Sequence, residues 1–306
     1  MTQSKLLPIS TFILLGSTLV AGCGINGKPG AATPATTAAV SASARSPVST
    51  VVMKNTLHWV AQHHGLMQSV GGTAALQGPA TLPGSAPYAA TVQLQPMTNQ
   101  YSVALWETTK PMEINQFNPN QLAQPNDAMR HSPLLRVQQP IAQWNVKRSL
   151  ASLTSSHQQS ATIAALAGDI EPLGVGVPVA LPHGLSGTLY TKGTDPGGTV
   201  GNTMTIDFVL WHEAQWTFES VGRNAQAEAR MMVRAIPLSR LPRSQSGLVE
   251  FSNHTQSLNT ASGPSTVITW YQHPYIINFS SGTHGPTNLQ ATLAMADSWR
   301  TWPLHP

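Results

Sequence analysis

The pattern of apolar and polar positions divides the chain into three unlike stretches. The first is an apolar run, Ile9 to Ala21, behind the positive Lys5. Its 13 residues would rise only about 20 Å as a helix, short of the roughly 30 Å hydrocarbon core of a bilayer. The run therefore predicts a cleaved export signal over 1–22 rather than a membrane span. The second stretch, 23–52, is made mostly of Ala, Thr, Ser, Gly and Pro and holds almost nothing that could fill a core. It predicts a flexible tether with a reach of roughly 30 Å. The third, 53–306, carries strand and helix periodicities and predicts the folded ectodomain.

That ectodomain contains an internal repeat. One copy, about 170–240, has Leu181-Pro182, Gly187, Trp211, Trp216 and Gly222 as landmarks. The other, 241–302, has Leu241-Pro242, Gly247, Trp270, Tyr275 and Gly282. Pro to Gly spans five positions in both copies, Gly to Trp 24 and 23, and Trp to the next aromatic five. A degenerate copy over 53–116 would place Trp106 at the corresponding strand position. The strand before each Trp is rich in β-branched and apolar residues, and the short interval to the next aromatic fits a tight hairpin. Helical spacing follows each meander: Ala225, Ala229, Met232, Val233 and Ile236 share one face, as do Leu289, Leu293, Ala296 and Trp299. Further helices are predicted from Met53 to about Gln68 and from Ile141 to Leu166. The expected fold is α+β, built from repeated units of a helix plus an antiparallel β-meander.

Charge narrows the function classes. Lys and Arg number 16 and Asp and Glu 12, only 9% of 306 residues, where an average soluble domain carries about 25%. Lys5, Lys28 and Arg45 precede residue 53, which leaves 13 basic against 12 acidic residues in the ectodomain. The net charge of +4 thus reflects no basic face. No cluster of Lys and Arg exists to track phosphates, so nucleic acid is excluded as a partner.

Leu19-Val20-Ala21-Gly22-Cys23 resembles the bacterial lipobox, and Cys23 is the only cysteine in the chain. The resemblance implies diacylglyceryl transfer to the Cys23 thiol, cleavage before it and acylation with chains such as palmitate. Two acyl chains give stable anchoring where one is marginal. A single cysteine also excludes an intramolecular disulfide and a Cys-rich metal site. In its Trp-bearing meanders followed by Ala- and Met-bearing helices, the region 170–300 is similar to uncharacterised lipoproteins of Gram-positive bacteria, a likeness that implies no known activity.

Chemistry beyond the anchor is sparse. The 11 histidines include no pair at zinc-helix spacing; Trp211-His212-Glu213 lacks the second His and falls in a predicted hairpin. His58, His63 and His64 do not share a helix face. No Gly-x-Ser-x-Gly or Ser-x-x-Lys motif is present. The acids are scattered, Glu213 being the least implausible member of a glycosidase pair. No catalytic residue, metal or cofactor is assigned. Trp106, Trp211, Trp216, Trp270 and Tyr275 read first as core anchors, with a sugar-stacking platform as the functional alternative. The expectation is a lipid-anchored protein on the extracytoplasmic face of the cell membrane, binding or organising cell-wall polymer or an exported protein without catalysis. A cell-wall hydrolase and a solute-binding component of a transporter are the competing readings.

Overall fold

The computed structural model describes residues 47–63, 77–82, 87–95, 100–116, 140–148, 159, 163, 171–194, 203–204, 206–253, 264–281 and 288–302. Its strands are β1 (Gln77–Pro79), β2 (Tyr88–Gln95), β3 (Gln100–Glu107), β4 (Ala142–Arg148), β5 (Glu171–Pro172), β6 (Val177–Ala180), β7 (Ser186–Tyr190), β8 (Gly193–Thr194), β9 (Thr203–Met204), β10 (Phe208–Glu213), β11 (Trp216–Gly222), β12 (Ser246–Asn253), β13 (Ser265–Gln272), β14 (Tyr275–Ser280) and β15 (Trp299–Thr301). The α-helices with described bounds are α1 (Pro47–His63), α2 (Ala225–Ala235) and α3 (Asn288–Asp297); Pro182–Gly184 and Leu238–Arg240 are single 3-10 turns, and Gln159 and Ile163 are also helical.

Ten strands form one sheet in the order β2-β3-β4-β14-β13-β12-β11-β10-β7-β6. All its neighbours are antiparallel except β11 and β12. This overturns the expected α+β fold of repeated helix-plus-meander units. The described residues are mostly β, and the meanders merge. The physical reason is edge satisfaction. A three-stranded meander has two rows of open backbone groups, and here β11 takes β12 as its neighbour while β14 takes β4.

Alternation sorts the side chains of the sheet onto two faces. One face carries Val103, Trp144, Phe279, Ile268, Val249, Phe218 and Trp211, each opposite the next across successive strands or one strand apart. The helices cover this face: α1 packs on β1 and β2, α2 on β10 and β11, and α3 on β13 and β14. Met53, Leu57 and Val60 of α1, Ala225, Ala229 and Met232 of α2, and Leu289, Leu293 and Ala296 of α3 are buried with it in a single core. Their spacing of three, four or seven residues is the helical stripe that a one-sided burial requires.

Three element assignments change. First, α1 begins at Pro47, inside the stretch read as tether; proline suits a helix's first turn, where its missing N–H costs nothing. Second, Ile141–Arg148 is not helical but holds β4, because Ala142, Trp144 and Val146 are buried in a period of two. Third, Trp299 lies in β15 rather than on α3, and β15 pairs with β1 from the other end of the described chain. Residues 1–46, with Cys23 and the signal, lie outside the described residues.

Candidate functional site: the polar face of the sheet

The face turned away from α1, α2 and α3 carries the polar half of the strand alternation. Across it runs a row in direct register, Gln93, Ser102, Asn145, Asn278 and Thr269, one residue from each of five adjacent strands. Gln93 is exposed, Ser102, Asn145 and Asn278 are half-buried, and Thr269 is covered. Asn278 Nδ2 donates to Thr269 Oγ1 at 2.9 Å. Farther along the sheet, His212 Nδ1 and Thr217 Oγ1 share a hydrogen bond at 3.1 Å. Part of this face is sealed by a second apolar cluster, in which Ile163 meets Leu248, Tyr271 and Ile276. Beside it, Gln159 Nε2 donates to Gln245 Oε1 at 3.4 Å. The row itself is made of amides and hydroxyls, suited to hydrogen bonding, with Lys147 of β4 half-buried beside it on the same face.

The same face brings together two carboxylates that sequence reading left among scattered acids. Glu219 of β11 stands directly opposite Glu250 of β12 in the parallel register. Glu219 is fully buried and Glu250 half-buried. The repeat spacing does not match these two positions to each other, and only the parallel pairing of the strands makes them neighbours. Glu213, the sequence candidate, is half-buried at the end of β10 opposite Trp216 and meets neither.

The aromatic candidates are core residues. Trp106, Trp211, Trp216, Trp270 and Tyr275 are all buried, none more than 6% exposed. The sugar-stacking platform is therefore withdrawn, since a stacking ring needs an open face. Trp211 stacks on Phe218 with ring centres 5.1 Å apart, and Trp106 Nε1 donates to Thr91 Oγ1 at 3.2 Å. Four of the described histidines, His58, His63, His212 and His273, are occupied locally. His58 bonds Gln62, and His63 bonds the Trp59 carbonyl and stacks on its ring. His273 bonds the Tyr271 hydroxyl. Among the described residues no group of three or more His, Cys, Asp or Glu could hold a metal ion. His64, His131, His157, His254, His284 and His305 lie outside them.

One titratable group gives a pH prediction. The Glu228 carboxyl, in the first turns of α2, is pushed above its ordinary value by partial burial, while the Asn253 amide, donating at 2.6 Å, pulls the other way. A carboxyl with a raised native pKa holds its proton more tightly when folded. Its contribution is complete below the unfolded value near 4.5 and is lost as pH rises through the folded value. Glu228→Gln should thus raise stability at pH 7 by less than about 1 kcal/mol, given solvent screening. It should also flatten the rise in melting temperature on acidification toward pH 5; an unchanged slope would refute this.

No protein-family model, curated protein or solved structure matches the chain.

Proposed function

We propose that this is a lipid-anchored extracytoplasmic protein that binds or organises a neutral partner through the polar row of the sheet, without catalysis. The observation that carries the anchor is Leu-Val-Ala-Gly ahead of the chain's only cysteine, Cys23. Twenty-three residues of small and polar composition separate Cys23 from the start of α1 at Pro47, which suits a spacer between membrane and fold. The binding reading is supported by the in-register amide and hydroxyl row, uncharged from Gln93 to Thr269.

A hydrolytic role gains the Glu219–Glu250 pair and is weakened by the same pair. A general acid must reach the proton it transfers, and Glu219 has no exposed surface. A transporter's solute-binding component would be expected to have two lobes around a cleft, against which stands one continuous ten-stranded sheet.

Cys23→Ala tests the anchor. Expressed in a bacterium with lipoprotein processing, the native chain should sediment with membranes, and its mature N-terminal peptide should carry a diacylglyceryl mass on Cys23. The variant should lose that mass and leave the membrane fraction almost completely. Membrane retention of the variant, or an unmodified Cys23 in the native chain, refutes the proposal.

A further inference from the structure

The two ends of the sheet are finished differently. At one end, β6 carries Pro178, which has no N–H to offer a further strand. At the other end, β2 reads Tyr-Ala-Ala-Thr-Val-Gln-Leu-Gln, eight residues without charge or proline. A long, uncharged edge of that kind is a template for another strand unless something covers it.

Among the described residues, Asn115 covers the middle of this edge, with its side chain and its backbone N–H. Asn115 is exposed and held at φ 60°, a left-handed conformation that Asn tolerates better than most residues. The Val92 N–H donates to Asn115 Oδ1 at 2.6 Å, and Asn115 Nδ2 donates back to the Val92 carbonyl at 3.2 Å. The Asn115 N–H donates to the Ala90 carbonyl at 2.9 Å. The carboxamide thus reproduces the donor and acceptor of a peptide group, set against the outward side of β2.

We propose that Asn115 is an edge cap that keeps β2 from pairing with β2 of a second copy of this chain. The strand is self-complementary about Thr91. A two-fold axis there sets Thr91 against Thr91, Ala90 against Val92, and Tyr88 against Leu94. In an antiparallel hydrogen-bonded pair, opposed residues exchange both N–H and C=O. The Ala90–Val92 pair would therefore use the Val92 N–H, the Val92 carbonyl and the Ala90 carbonyl, the same groups that Asn115 now holds. Tyr88, Ala90 and Val92 are buried on the helix-covered face and Leu94 is half-buried there, so the pairing continues one apolar face into the other. With no charge on β2, nothing in the strand repels its copy. A single strand pair buries less than the roughly 1,200 Å² of a stable interface, so the uncapped dimer is weak and concentration-dependent. This inference does not depend on the anchoring proposal.

The test uses the full-length chain with Cys23→Ala, which removes the native thiol, and Thr91→Cys, which places one thiol at the two-fold axis. Under mild oxidation this parent should remain mostly monomeric on a non-reducing gel. Adding Asn115→Ala should raise the disulfide-linked dimer at least fivefold. Asn115→Asp, which keeps the acceptor and loses the donor, should fall between them and serves also if the alanine variant fails to fold. A control with Gln62→Cys in place of Thr91→Cys should give no increase. No rise in folded Asn115→Ala or Asn115→Asp, or an equal rise in the Gln62→Cys control, overturns the proposal.

Discussion

Gly247→Val should leave the chain without a cooperatively folded core, and Gly247→Ala should cost about 3 kcal/mol or more, the upper end of overpacking penalties. Gly247 lies in β12 between Trp216 of β11 and Trp270 of β13, opposite both in register. A Cβ at this position would sit 2.2 Å from Trp216 Cζ3, 2.4 Å from Cε3 and 2.6 Å from Cη2. Those atoms belong to a rigid ring that is 1% exposed, so it has no empty space to swing into. The obstruction is ring against backbone, and relief requires β11 and β12 to separate. The decisive comparison is a double-mutant cycle by denaturant unfolding. Trp216→Leu alone should be destabilising because it leaves a cavity. In that background Gly247→Ala should cost at least about 1 kcal/mol less than in the native chain, since contacting residues couple. Strictly additive costs would show that the indole is not what holds position 247 to glycine.

That glycine illustrates how far sequence reading reached. Gly247 and Gly187 were paired as repeat landmarks from spacing, and the hairpin turns between Trp211 and Trp216 and between Trp270 and Tyr275 fall where the five-residue interval put them. Local periodicity also located α2 and most of α3, because one buried stripe on a short helix is a local property. The reading failed where structure depends on partners distant in the chain. Nothing in a meander's own residues says that its last strand will take a parallel neighbour, as β11 takes β12. The repeated units therefore looked like separate α+β modules instead of one sheet. The Glu219–Glu250 pair was hidden for the same reason. In Ile141–Arg148 a seven-residue alternation around Trp144 also satisfies a loose helical pattern, and only burial on the sheet decides between the two periods.

Trp299 fits the apolar spacing of α3 but lies in β15, which pairs with β1. Its ring meets Trp270 at 5.0 Å and Trp144 at 6.1 Å, both edge to face, and Phe279 at 5.6 Å. Its Nε1 donates to Gln77 Oε1 at 3.1 Å. One residue thus ties β15 to β1 and to the aromatic rows of β4, β13 and β14. Trp302 adds a buried donor to the Gly78 carbonyl at 3.1 Å. Trp299→Ala should cost about 3 kcal/mol, the lower end for truncating a large aromatic because the ring is only half-buried. Trp299→Phe, which keeps a ring in the edge-to-face cluster and loses the Gln77 bond, should cost closer to 1 kcal/mol. The order matters more than the sizes. If Trp299→Phe is as damaging as Trp299→Ala in thermal unfolding, the Gln77 hydrogen bond rather than the aromatic packing holds β15 in place. If both are mild, the sheet core is indifferent to its last strand. The expected order makes the cluster of Trp144, Trp270, Phe279 and Trp299 the point where the last strand is locked onto the sheet.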